Sequence, residues 1–205
     1  MVRYNIGGRV SSHDQFISEK NDRTIFGFWI YLMSDILLFV SFILVYFVFF
    51  ERSTYLLDLK KHIDLNVVFL ETVLLLISNL IFQFSQTSIV VKKNRKFFMR
   101  VLSLSLIFGT MFFLIEICKI LSLLQLGFSP KKNAIFSAFF VVIGIHNLHI
   151  FFGLIWTIVL GIRVSLHNLN EKNLISLKCL GEFWNFLDIV WFLIVTAVYL
   201  LVKTL

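Results

Sequence analysis

The chain has 205 residues, 59% of them hydrophobic, with a mean hydropathy of +0.89 and a formal net charge of +7. Soluble domains run nearer about 45–50% apolar. Here the excess collects in long runs that only lipid tolerates, and the Lys and Arg residues sit in short segments between those runs, which argues against a nucleic-acid partner. Cys118 and Cys179 are the two cysteines, with no CxxC or Cys/His cluster around them, so neither a zinc site nor a disulfide framework is indicated.

Residues 1–24 are polar and carry Arg3, Arg9, Lys20 and Arg23. The apolar run behind them is too long for a signal-peptide core and lacks a small-x-small cleavage site. The segment therefore reads as a cytoplasmic tail ahead of an uncleaved first span. A helical span needs about 20 apolar residues, and five segments qualify, at about 25–50, 65–91, 97–126, 134–162 and 180–202. The third ends at Gly127 to Pro130, the fourth follows Lys131 and Lys132, and the fifth follows Lys178. No alternating ten-residue units suggest a membrane β-barrel. The predicted fold is an all-α bundle of five transmembrane helices, with residues 25–205 as one domain and no internal repeat.

Lys and Arg fix the orientation. With the N-terminus inside, segments 1–24, 92–100 and 163–179 carry 12 of the 19, and the outer segments carry 7. That predicts a cytoplasmic N-terminus and a periplasmic C-terminus in a multi-pass inner-membrane protein. Lys119 falls at the outer side in this count, where its stem would snorkel to the headgroups.

Ionisable groups at membrane depth face a protein interior or water. Asp35, Glu71, Glu116, His146, His149 and Asp188 all lie well inside the spans. Helical rise puts Asp35 roughly 15 Å, and Asp188 about 12 Å, above the inner ends of their spans. His146 and His149 fall roughly 18–22 Å below the outer end of theirs. These four share a layer near mid-membrane, and Glu71 and Glu116 form an outer pair. His146 and His149 share a helix face at i and i+3. Such a pair ligates a metal or haem, hydrogen-bonds neighbouring helices or Asp188, or serves a proton or lipid role. No second intramembrane ligand pair accompanies it, because His13, His62 and His167 fall in loops. Asp35 reads either as a neutral carboxyl bonded to a neighbour or as a proton-active group. Trp184, Asp188 and Trp191 share a face, with the two Trp as packing residues. Gly144, Gly153 and Gly161 are expected to let helices approach. No GxSxG, Walker, HExxH or Rossmann motif is present, so nothing here carries catalysis alone.

Four stretches in register, IFGFWIYLMSDILLF, FLETVLLLISN, AFFVVIGIHNLHIFFGLIW and EFWNFLDIVWFLIVTAVYL, resemble subunit III of the haem–copper terminal oxidases. The five-span length and the FGFWIYLMSD opening are most similar to the bo-type ubiquinol oxidase branch. The resemblance implies a non-redox accessory subunit that packs on subunit I beside subunits II and IV. It implies bound phospholipid and a role in sustaining proton uptake and enzyme lifetime. Haems and copper are then expected in subunit I, and no cofactor on this chain. Asp35 matches the position of a carbodiimide-reactive glutamate in the cytochrome c branch. His146 and His149 match the family HGLH, with Asn147 in place of Gly. Lys119 stands where a second acid usually follows Glu116, and Asn185 replaces the His of the WHF-x-D-x-x-W motif. The alternative is a small proton-coupled transporter, which would show related halves or broken helices; neither is visible.

Overall fold

The computed structural model describes residues 12–50, 64–92, 95–128, 130, 133–166 and 171–200. Their regular elements are all helical: α1 (Ser12–Phe50), α2 (Leu65–Lys92), α3 (Arg95–Gln125), α4 (Ala134–Leu166) and α5 (Glu171–Ile194). α5 runs on into a π-helical segment, Val195–Leu200. All five are long and apolar enough to cross a membrane. A lipid-facing backbone must satisfy its own polar groups, and the helix does so without help. Hydroxyls inside the spans do the same: Ser41 donates to the Leu37 carbonyl at 2.7 Å and Thr72 to that of Val68 at 2.8 Å.

The helix ends follow local chemistry. The Asp64 carbonyl opens α2 by accepting from the Val67 and Val68 amides, and the Asn133 carbonyl opens α4 by accepting from Ser137. α3 stops at Gly127, whose φ of 87° few other residues adopt. The Gly127 amide donates to Leu124 and the Phe128 amide to Leu123, a Schellman closure, and Phe128 then packs edge-on against Phe136 of α4.

Two boundaries differ from the sequence expectation. α1 reaches back to Ser12, into the stretch read as a tail. α5 starts at Glu171, not near 180, because Asn173, Leu177 and Cys179 are buried before the strongly apolar run begins. Gln86 of α2 donates to the Leu177 carbonyl at 2.6 Å, so this early turn has its own partner.

α2 and α3 form an antiparallel hairpin, α3 packs on α4, α4 on α5, and α5 returns to α2. α1 packs on α4 and α5 rather than on α2, its neighbour in sequence. Two glycines of α4 let neighbouring helices come close. A Cβ on Gly153 would stand 3.0 Å from a Phe183 ring carbon, and one on Gly161 3.0 Å from Leu102 Cδ2. Gly144 corrects the expectation of a packing glycine: nothing lies within 4 Å of its Cβ position, and it is exposed.

Candidate functional site

The buried polar residues gather into two clusters. The outer one joins α2, α3 and the π-helical segment. Lys119 Nζ donates to Glu71 Oε2 at 2.6 Å. It stands 2.6 Å from Glu116 Oε2 as well, there as an ion pair off the hydrogen-bond direction. Both carboxylates are fully buried. Tyr199 donates its hydroxyl to Glu116 Oε1 at 3.4 Å, and its ring lies 4.7 Å beneath the Lys119 ammonium. Glu71 and Glu116 come together, as their depths imply. Lys119 does not snorkel outward as expected. Two buried carboxylates would repel each other, and the cation three residues after Glu116 turns inward to compensate both.

The second cluster lies deeper and has two arms. In one, Asn79 of α2 donates to Asp188 Oδ2 at 2.5 Å and to Asn185 Oδ1 at 2.9 Å. Gln83, one turn on, donates to the same Asn185 oxygen at 3.2 Å. The residue standing where the family motif has His thus anchors an amide seam between α2 and α5. Trp191 donates to Thr72 at 3.0 Å and Trp184 to Thr157 at 3.3 Å, so both indoles are buried with their N–H groups bonded.

The other arm joins α1 to α4. His149 Nε2 lies 3.5 Å from Asp35 Oδ2, and its Nδ1 is 2.8 Å from the Ile145 carbonyl. His146 diverges from its partner: it is fully buried, stacks on Trp191 at 5.3 Å between centroids, and sets Nε2 3.4 Å from the Leu187 carbonyl. Three residues along a helix leave two side chains about 60° apart, enough here to send one inward and the other toward α1. Neither histidine bonds Asp188, which Asn79 holds instead. Asp35 and His149 keep 14% and 18% of their side-chain surface exposed. His149 borders a cleft of about 360 Å³ lined also by Tyr31, Leu148, Phe152, Trp156 and Phe183. Among the described residues, no three His, Cys, Asp or Glu side chains stand close enough to share a metal ion.

Sequence reasoning missed Lys119 as the centre of the outer cluster, and with it Asn79, Gln83, Thr72 and Tyr199. Asn79 and Gln83, one turn apart inside an apolar run, were the available signal.

Residues 10–202 match the family model described as cytochrome c oxidase subunit III. The chain belongs to that family. It is 37% identical to cytochrome bo(3) ubiquinol oxidase subunit 3 of Buchnera aphidicola (subsp. Acyrthosiphon pisum), over 93% of this chain and 91% of that one. It is 34% identical to the protein of the same name from Pseudomonas aeruginosa, over 89% and 87%. It is 31% identical to cytochrome c oxidase subunit 3 of Bacillus sp. PS3, over 85% and 84%. As a subunit III of the haem–copper oxidases, the chain is a multi-pass membrane protein that associates with other oxidase subunits. This membership replaces the transporter reading.

Proposed function

We propose that this subunit III serves a bo-type ubiquinol oxidase of the bacterial inner membrane. In that assembly it packs on subunit I beside subunits II and IV, binds phospholipid, stabilises subunit I and supports proton uptake during oxygen reduction. The observation that carries the quinol branch is the 34–37% identity, over most of both chains, to relatives named ubiquinol oxidase subunits. The bundle supports an accessory role. Large apolar side chains such as Phe26, Ile30, Met33, Leu37 and Leu44 of α1 are more than half exposed and need lipid or a partner helix against them. Haems and copper belong to subunit I in this reading, and the isolated chain binds none; a stoichiometric Soret band in the purified chain would refute that.

Purification of the complex through a tag on this chain tests the branch. Ubiquinol-driven oxygen consumption is the expected result, and a complex driven only by reduced cytochrome c overturns it. A complex lacking this chain should keep its haem spectrum but lose activity faster during turnover. Immediate, complete loss of activity with haems intact would contradict an accessory role. A reporter fused after Leu205 should be active only on the periplasmic side.

A further inference from the structure

Lys119 touches two carboxyl groups, and one ammonium cancels one charge. Glu71 and Glu116 are both fully buried, so two carboxylates would leave a whole negative charge inside the bundle, a cost that buried acids escape by taking up a proton. Among the described residues, Lys119 is the one cation that forms an ion pair with either carboxyl. The other titratable groups around the cluster bring no second positive charge. Tyr46 of α1 and Tyr199 of the π-helical segment are phenols. His146 of α4, within electrostatic range of Lys119, sets Nε2 on the Leu187 carbonyl and leaves Nδ1 buried without a partner. A proton on that Nδ1 would bury a charge with no acceptor to meet it.

Hydrogen bonding leads to the same count by a separate route. Each carboxyl has one oxygen met by a donor: Glu71 Oε2 accepts from Lys119 and Glu116 Oε1 from Tyr199. The other oxygen of each, Glu71 Oε1 and Glu116 Oε2, is buried with no hydrogen-bond partner. The two carboxyl groups lie within hydrogen-bond reach of one another. Ionised carboxylates only accept, so the contact between them has a donor only when one of the two is protonated. The 3.4 Å bond from Tyr199 is also longer than the about 2.5–2.7 Å of a hydroxyl on a full carboxylate. We propose that Glu71 and Glu116 form a proton-binding site, in which the two carboxyl groups share one proton and Lys119 balances the single negative charge that is left. The proton belongs to the pair and not to one residue. Glu71 stands about 9 Å from the Leu65 end of α2, and Lys119, 19% exposed, is where the cluster meets its surroundings. The site is separate from the Asp35–His149 pair and does not depend on which electron donor the complex uses.

Infrared difference spectroscopy of the intact complex at neutral pH tests the site. A protonated carboxyl has a carbonyl stretch well apart from the carboxylate bands. Subtracting the spectrum of a Glu71→Gln or a Glu116→Gln complex from the native one cancels the bands of the other subunits. One protonated-carboxyl band should be lost in each variant, because the acid that remains has Lys119 to itself and ionises. In the purified full chain, carbon-13 on glutamate should shift the same band, which sets it apart from Asp35 and Asp188 and needs no substitution. A band that survives in either variant, or that glutamate labelling leaves in place, overturns the shared proton. So does a native spectrum without the band, which would show two carboxylates.

Discussion

The outer cluster and the α1–α4 pair are made of similar groups and reach opposite states. Glu71 and Glu116 are fully buried around one cation, and Tyr199 covers them. Asp35 and His149 meet at 3.5 Å, the outer limit of a hydrogen bond, and both remain partly exposed, His149 along an open cleft. The first arrangement encloses its charges within the chain, although Glu71 Oε1 and Glu116 Oε2 find no hydrogen-bond partner. The second stays partly open to what lies outside the bundle. A membrane bundle keeps polar groups open in this way where something from outside, a proton or a lipid, is to be met.

The comparison breaks most sharply at Lys119. Lys119→Met leaves two buried carboxylates facing each other without a cation, and a loss of about 3–5 kcal/mol is expected. Thermal unfolding of the detergent-solubilised complex should show it as dissociation of this subunit well below the native transition. Glu71→Gln combined with Lys119→Met should recover part of the loss. A single variant as stable as the native chain would show that the cluster is not held by its charges.

A packing variant should have a smaller effect. Gly153 lies one turn beyond His149, with Phe183 already at the contact limit of a Cβ. Gly153→Val should overpack the α4–α5 seam and destabilise by about 1–3 kcal/mol. Gly144→Val, on the open side of the same helix, should leave the isolated chain's melting temperature unchanged. Equal effects at the two glycines would contradict the assignment of faces.

The smallest effect is expected at Asp35. Asp35→Asn gives up one long contact, and the stability change should stay within about 1 kcal/mol. Initial turnover should hold; faster decay of activity, or a loss that grows as pH rises, would show that the carboxyl takes part in proton uptake. A large stability loss in this variant would place Asp35 with the outer cluster as a structural group and erase the contrast.

The spans were legible in the sequence because lipid imposes a length and a composition that few other environments do. Their ends were less so: Lys172 and Lys178 mask a helix start that is fixed by the burial of Asn173, Leu177 and Cys179. Depth was legible too, since helical rise alone brings Glu71 near Glu116 and Asp35 near His149. Azimuth was not. Whether His146 and His149 point the same way, or whether Lys119 turns out to headgroups or in to carboxylates, depends on helix rotation, which neighbours set and hydropathy does not record. The amide seam of Asn79, Gln83 and Asn185 was hidden for the same reason, since each residue alone is merely a polar interruption.

The packing of α1 on α4 and α5 bears on how the subunit is built. Chains enter the membrane from the N-terminus, so α1 is inserted before either of its partners exists. Until α4 arrives, Phe39 and Asp35 have no protein face to meet, and a carboxyl at mid-membrane is costly to leave in lipid. α2 and α3 can close their hairpin at once, having each other. Membrane assembly of this subunit thus has a waiting member: the first helix made stays undocked until the fourth is in place, and a chain truncated after α3 should be a marked target for membrane quality control even though three-fifths of its spans are in place.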